Sequence, residues 1–126
     1  MTSSVGDMAW LDLSVNNATE VKDFYQHVIG WKTEEISMGD YNDYAMLSPI
    51  TGDAVSGICH AQGVNNDLPA AWLPYFLVEN IEQAVAQVTT NNGQLLTEIK
   101  SMGADKYAVI KDPAGAVCAI YQKGKA

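Results

Sequence analysis

Two polar side chains on predicted strands could move a proton in this chain. Asp12 stands among apolar residues in WLDLSV, and Tyr75 stands among apolar residues in WLPYFLV. A carboxylate in such a setting is costly unless it is hydrogen-bonded or functional. Asp12 could therefore act as a general base or hold a polar atom of a bound molecule, with Tyr75 as the matching donor. A structural hydrogen bond is the alternative for Asp12.

His60 is a third candidate, at the end of the predicted strand AVSGICH. It shares strand parity with Ser56 and Ile58, which predicts that these three side chains lie on one face. An imidazole titrates near neutral pH and could assist a proton transfer. A solvated histidine at a strand end is the alternative.

The segment DPAGAVCAIYQ, residues 112–122, predicts a tight turn followed by a strand. Ala119 and Tyr121 lie on one face of that strand, and neither face carries a charge. Tyr121 could place its hydroxyl against a bound molecule, but the strand offers no catalytic acid.

Composition limits the classes of partner. The 126 residues carry 7 Lys and Arg against 15 Asp and Glu, a net charge of -8, and 48% are hydrophobic. This favours one globular domain, residues 1–126. Without a basic cluster, binding to nucleic acid or to an anionic membrane surface is not expected. No apolar run is long enough for a membrane span and no signal peptide is recognisable, so a cytoplasmic location is expected. Cys59 and Cys118 are interpreted as small buried residues, with a disulfide or a redox role as the alternative.

The chain is predicted to consist of two similar modules, about 8–60 and 71–122. At an offset of 63 residues, half the chain, identities fall at strand ends and turns, among them Tyr44/Tyr107 and Gly52/Gly115. Tyr44 and Tyr107 would then meet a shared packing need. Each half predicts the order strand, helix, strand, strand, strand, with Asn16 or Asn17 capping the first helix and Asn80 the second. The fold class is α+β, with two βαβββ modules forming an eight-stranded, cup-shaped mixed sheet.

Strand parity assigns side chains to the concave face of this cup. On the first strand Leu11, Leu13 and Val15 suit the helix side, which leaves Trp10, Asp12 and Ser14 for the cup. The repeat offset carries the cup positions to Leu73, Tyr75 and Leu77. Trp10 could stack on a planar guest, or it could be core.

The FY and GW pairs at residues 24–25 and 30–31 and the DPxG turn at 112–115 resemble those of the vicinal oxygen chelate superfamily. That group contains the glyoxalases, the bleomycin-resistance proteins and the extradiol dioxygenases. The resemblance covers about residues 8–122. It implies the paired βαβββ fold and a homodimer, but not one reaction.

Metal-dependent members place ligands on the first and last strand of each module. The resemblance assigns those four places to residues without a metal-binding side chain: Trp10, Leu73, Ala119 and, by the repeat offset, Ser56. Divalent ions need imidazole, carboxylate or thiolate. A cup without a metal or other cofactor is therefore expected.

Three function classes follow. The favoured one is a protein that binds a small, partly aromatic or apolar molecule in a metal-free cup, as drug-sequestering members do. Its predicted lining is Trp10, Ser56, Ile58, Leu73, Ala119 and Tyr121. The second class is a metal-independent isomerase or lyase that uses Asp12, with Tyr75 or His60, for proton transfer. The third is a metal-dependent glyoxalase or dioxygenase with unusual ligands. No serine hydrolase triad or dinucleotide motif is present.

Overall fold

The computed structural model describes residues 4–62 and 68–124. The chain divides into two compact units. The N-terminal unit is Leu11–Trp72, and the C-terminal unit comprises the residues up to Trp10 together with those from Leu73 onwards. Within the described ranges, neither helix has the length and apolar character that a bilayer crossing requires.

The N-terminal unit has the predicted order of one helix and four strands. The elements are β1 (Met8–Val15), α1 (Ala18–Ile29), β2 (Lys32–Ser37), β3 (Asn42–Leu47) and β4 (Ala54–His60). The unit holds β1 from Leu11 onwards. Its strands lie in the order β2-β3-β4-β1, with β1 parallel to β4 and the other neighbours antiparallel. The first βαβββ module is therefore confirmed.

The C-terminal unit repeats this plan with one difference. Its elements are β5 (Trp72–Leu77), α2 (Ile81–Thr90), β6 (Gln94–Leu95), β7 (Lys100–Met102), β8 (Asp105–Lys111) and β9 (Val117–Gln122). The order is β5-β9-β8-β6, with β7 also paired to β8. The α+β class with two modules is confirmed, but the strand predicted around QLLTEIK is split into β6 and β7.

Thr97 accounts for the split. Its backbone N–H donates to the Val109 carbonyl, and its side-chain oxygen accepts a hydrogen bond from the Val109 N–H at 3.0 Å. A side chain thus takes the place of a backbone group in the ladder, and the strand is interrupted between its two short parts.

Each helix covers one face of its own sheet. In the N-terminal unit Ala18 of α1 packs in a buried cluster with Leu13, Tyr44, Met46 and Ile58. In the C-terminal unit Ile81 of α2 packs in a buried cluster with Ala108 and Ile120. The large apolar side chains removed from water here supply the main stabilisation of each unit.

Three aromatic residues extend the N-terminal core. Trp31 and Trp72 pack against Tyr25 of α1, and the Trp72 indole N–H donates to the Tyr25 hydroxyl at 3.0 Å. Trp31 is therefore a packing residue of this unit. A partly buried indole with a hydrogen-bond partner needs no ligand to explain it.

The helix starts differ in how they are capped. The Asn80 side chain accepts a hydrogen bond from the Gln83 N–H at 3.0 Å, as predicted. Asn17 stands at the start of α1 but makes no such bond, and its amide donates to Glu20 instead. At the other end of α1, Gly30 adopts a left-handed conformation with φ of 90°, which explains why glycine suits that position.

The repeat offset of 63 residues does not hold through the last strands. In the parallel pairs, Asp12 lies beside Gly57, whereas Tyr75, its counterpart at that offset, lies beside Ala119. The structural counterpart of Ala119 is therefore Gly57, and the assignment to Ser56 is wrong by one residue. Because side chains alternate between faces, one residue of slip exchanges the two faces of a strand.

A slip of one residue on the neighbouring strand, in the opposite direction, separates Tyr44 from Tyr107. Tyr44 belongs to the cluster under α1. Tyr107 precedes Ala108, which packs under α2, so Tyr107 points to the opposite face. The prediction of a shared packing role for these two tyrosines is therefore wrong.

Candidate functional site

An aromatic and apolar surface lies on the face of the C-terminal sheet that points away from α2. We call it the tyrosine face, and its members are Leu73, Tyr75, Leu77, Tyr107, Val109, Ala119 and Tyr121. Strand register places Ala119 between Tyr75 and Val109, and places Tyr107 beside Tyr121. Four residues predicted for the site, Leu73, Tyr75, Ala119 and Tyr121, are therefore brought together.

Tyr75 is the centre of the aromatic part of this face. Its ring centroid lies 5.9 Å from that of Tyr107 and 6.4 Å from that of Tyr121, with tilted and edge-on geometries. Such arrangements bring the electropositive edge of one ring towards the face of another. Every member of the tyrosine face is buried except Tyr121, which is partly exposed. Access from solvent is therefore at Tyr121.

Asp105, at the start of β8, holds the hydroxyl of Tyr121. The Tyr121 O–H donates to Oδ2 of Asp105, and the Gly124 N–H donates to Oδ1 at 2.6 Å. These two hydrogen bonds hold the pKa of Asp105 below its ordinary value, with the bond from Tyr121 the larger cause. Burial, then the bond to Asp105, raises the pKa of Tyr121 to about 12. The proton therefore stays on the tyrosine oxygen.

Sequence reasoning missed Asp105. It follows the MGA turn and resembles an ordinary polar residue at the start of a strand. Its role depends on the β8–β9 register, which pairs Lys106 with Gln122 and Tyr107 with Tyr121. Only that register brings the two ends of the hairpin close enough for Asp105 to meet Tyr121.

A second polar surface lies on the face of the N-terminal sheet that points away from α1. We call it the acidic face, and it contains Asp12, Ser14, Asp43 and Cys59. Ser14 lies beside Cys59 in the parallel ladder, and Asp12 lies beside Gly57. The predicted orientation of Asp12 and Ser14 away from the helix agrees with this register.

The setting of Cys59 disfavours ionisation of its thiol. Burial raises the pKa of its thiol far above the ordinary value, and the charges of Asp12 and Asp43 raise it further. Thiolate, not thiol, is the reactive form. Both Cys59 and Cys118 are free and half-buried, so the described chain holds no disulfide between them.

Ile58 and Ser56 do not face the way the sequence predicted. Ile58 lies beside Leu13 in the ladder and packs in the cluster under α1. Ser56 shares the parity of Ile58 and lies beside the core residue Met46. The prediction that they line the opposite, concave face is therefore wrong, because the sequence did not show how β4 registers against β1.

His60 packs among aromatic residues of its own unit. Its ring centroid lies 5.4 Å from that of Tyr41 and 6.2 Å from that of Tyr44. Its backbone N–H donates to Oδ1 of Asp43 at 2.8 Å, and Nδ1 lies 3.6 Å from the same oxygen. These contacts place His60 in a packed polar and aromatic group, so its side chain is not the solvated one of the alternative. Its part in proton transfer stays a prediction.

Trp10 is half-buried and belongs to the C-terminal unit, while Asp12 belongs to the N-terminal unit. Stacking on a planar guest and packing in the core both stay predictions for Trp10.

The residues at the family's four metal places do not fit a metal ion. With the register corrected they are Trp10, Leu73, Ala119 and Gly57, and none carries imidazole, carboxylate or thiolate. In residues 4–62 and 68–124, no group of three or more His, Cys, Asp and Glu is placed to hold a metal ion. These four places therefore offer no side-chain ligand to a divalent ion.

Comparisons with known proteins place this geometry in a family. The model of the glyoxalase/bleomycin resistance protein/dioxygenase superfamily matches residues 7–120. The anthracycline biosynthesis protein DnrV of Streptomyces peucetius is 30% identical over 94% of this chain and 48% of that protein. The putative glyoxylase CFP32 of Mycobacterium tuberculosis is 25% identical over 95% of this chain and 47% of that protein. The chain thus spans about half the length of these curated relatives.

Solved structures share the fold at low sequence identity. A hypothetical protein from Bacillus halodurans C-125 matches with a TM-score of 0.62 and 12% identity over 98% of both chains. A superfamily member from Vibrio splendidus 12B01 matches with a TM-score of 0.58 and 18% identity, over 90% of this chain and 97% of that chain. Together with the family model, the two modules identify this chain as a member of the glyoxalase/bleomycin resistance protein/dioxygenase superfamily.

Proposed function

We propose that this chain binds a small, planar, largely apolar molecule against the tyrosine face, in a site that uses no metal ion. The observation that carries the proposal is the packing of the Tyr75 ring against the rings of both Tyr107 and Tyr121 on the tyrosine face. Aromatic rings favour flat, polarisable partners. The partly exposed Tyr121 is the point at which a guest would first make contact.

The chemical class of the guest is suggested by a relative. The relative from Streptomyces peucetius is named for anthracycline biosynthesis, and anthracyclines contain fused aromatic rings. This chain covers about half of that protein, so we take over only the shape and polarity of the molecule. A polycyclic aromatic compound with a few oxygen substituents is the proposed guest.

The residues at the family's four metal-ligand positions support binding without a metal. The four places that hold ligands in metal-dependent members carry Trp, Leu, Ala and Gly here. Apolar pockets hold most of a small ligand's surface by burial alone, with a few polar groups fixing its orientation. In this proposal the Tyr121 hydroxyl is such a polar group.

An anthraquinone that carries one hydroxymethyl group is a suitable probe. On titration we expect the backbone amide signals of β5, β8 and β9 to shift in nitrogen–proton NMR spectra. Replacing Tyr121 with leucine should weaken binding about tenfold, because one ring contact and one hydrogen bond are lost. Phe24→Leu, an exposed aromatic on α1, is the matched control and should leave affinity unchanged. Signal shifts confined to the N-terminal unit, or full affinity in Tyr121→Leu, would refute this site.

A second candidate function is proton transfer by Asp12 without a metal. The observation that favours it is the position of Asp12 on the acidic face, half-buried and close enough to raise the pKa of Cys59. Carboxylates in partly buried settings serve as general bases in isomerases and lyases.

Anthrone, a planar carbon acid, tests this second function. If Asp12 abstracts a proton, the wild-type protein should speed the exchange of the anthrone methylene protons with deuterated solvent, and Asp12→Asn should remove at least nine-tenths of that effect, on the order of the contribution of a general base. Binding of the anthraquinone probe at the tyrosine face should survive in the variant. Equal exchange rates in both proteins would make Asp12 a structural residue.

The homodimer and the cytoplasmic location expected from the sequence belong to this proposal as well. A homodimer is supported by the resemblance to family members of this size. Native mass spectrometry of the purified chain would report its assembly, together with any bound metal or copurified small molecule.

A further inference from the structure

We propose that the tyrosine face selects guests that donate a hydrogen bond to the hydroxyl oxygen of Tyr121, its partly exposed member. Asp105 is the positioning residue that sets this selectivity. This preference, which rests on the function proposed above, concerns the chemistry of one substituent on the guest. A free hydroxyl group would be accepted there, and an ether or carbonyl oxygen would be disfavoured.

The direction of one hydrogen bond carries the inference. A tyrosine hydroxyl has a single proton to donate and lone pairs that accept. The Tyr121 proton points at Oδ2 of Asp105. Since an ionised carboxylate can only accept, the bond cannot run in the other direction. What Tyr121 has left to offer a guest is therefore an acceptor.

Asp105 is fixed so that this direction persists. Its second carboxylate oxygen accepts the Gly124 N–H at 2.6 Å, so both oxygens are engaged by different partners. The lowered pKa of Asp105 and the raised pKa of Tyr121 both favour a charged carboxylate beside a neutral phenol. The carboxylate thus has little freedom to turn away from the tyrosine.

The surroundings of Tyr121 make this acceptor matter. The other members of the tyrosine face are buried and lack charge, while Tyr121 remains partly exposed next to the rings of Tyr75 and Tyr107. A guest oxygen that can only accept would face the lone pairs of Tyr121. On binding it would lose its hydrogen bond to water and gain none from the protein. Leaving a polar group without its hydrogen bond on burial is unfavourable.

The variant Asp105→Asn should reverse the direction of the hydrogen bond between residue 105 and Tyr121. The Gly124 N–H needs an acceptor, so the amide oxygen is expected to take the Oδ1 position and the NH₂ group the position beside Tyr121. The tyrosine oxygen would then accept from the amide, and its own proton would become free to face the guest. Selectivity for a donating guest should be lost, although the ring and the fold are unchanged.

The test compares the hydroxymethyl anthraquinone with its methyl ether, which differs by loss of the donor, in calorimetric titrations. The wild-type protein should bind the hydroxymethyl compound about tenfold more tightly, as one hydrogen bond warrants. Both Asp105→Asn and Tyr121→Phe should bring the affinity ratio close to one. The control is Glu82→Gln, which removes an exposed carboxylate on α2. Glu82 pairs at 3.2 Å with Lys106, the neighbour of Asp105 in β8, and this variant should keep the wild-type affinity ratio.

The outcomes separate the two proposals. Equal affinities of the wild-type protein for both probes, or a wild-type ratio in Asp105→Asn, would overturn the selectivity and leave the binding function standing. Failure of both probes to bind the wild-type protein would overturn the binding function, and the selectivity with it. A ratio that falls in Asp105→Asn and Tyr121→Phe but not in Glu82→Gln would support the role of Asp105.

Discussion

Replacing Ile58 with alanine is expected to lower the free energy of unfolding by about 3 kcal/mol, near the middle of the range for removing a buried isoleucine. Ile58 is 0% exposed and packs with Leu13, Ala18 and Tyr44 under α1. The variant leaves a cavity in a close-packed cluster, and neighbouring side chains can fill it only in part. Urea denaturation followed by circular dichroism would measure the loss.

Val55 provides the matched control on the same strand. Its side chain is 43% exposed, so Val55→Ala should change the free energy of unfolding by less than about 0.5 kcal/mol. The pair also tests which face of β4 packs against the helix. A loss below about 1 kcal/mol in Ile58→Ala would contradict a core position for this residue.

Replacing Ala119 with glutamate is expected to lower the free energy of unfolding by about 4 kcal/mol at neutral pH, on the scale of an uncompensated buried charge. Ala119 is 0% exposed and lies between Tyr75 and Val109 in the sheet. None of these neighbours carries a charge that could compensate a carboxylate. The variant also places an acidic group where metal-dependent members of the family hold a ligand.

The pH dependence of this variant separates charge from size. Burial raises the pKa of a carboxyl group in the folded state. Below the unfolded pKa of about 4.3 both states are protonated and the charge penalty is absent. As pH rises from there through the folded pKa, the penalty grows, and it is complete above the folded value. Stability of Ala119→Glu should therefore recover on acidification relative to Ala119→Gln, which has the same size and no titration.

Ala114, in the exposed turn before β9, is the positional control. Glutamate there remains solvated, so Ala114→Glu should have a stability within about 0.5 kcal/mol of the wild type at all these pH values. If Ala119→Glu were as stable as Ala119→Gln at neutral pH, position 119 would have to be open to solvent or paired with a cation.

The sequence by itself determined the fold class, the two modules and the orientation of several strands. Alternation in WLDLSV and WLPYFLV was enough to place Leu13 towards α1 and Tyr75 away from α2, because side-chain direction along one strand follows from local geometry. The sequence also predicted the DPxG turn and the cap at Asn80, since each depends on a few adjacent residues.

The tertiary structure decided how distant strands align. Whether Ser56 or Gly57 corresponds to Ala119 depends on the register of β4 against β1, and a slip of one residue exchanges the faces of Ile58, Ser56 and their neighbours. The same is true of Asp105, whose partnership with Tyr121 exists only because the β8–β9 hairpin brings its two ends together. Local patterns fix which way a side chain points along its own strand, but only packing between strands fixes what it meets.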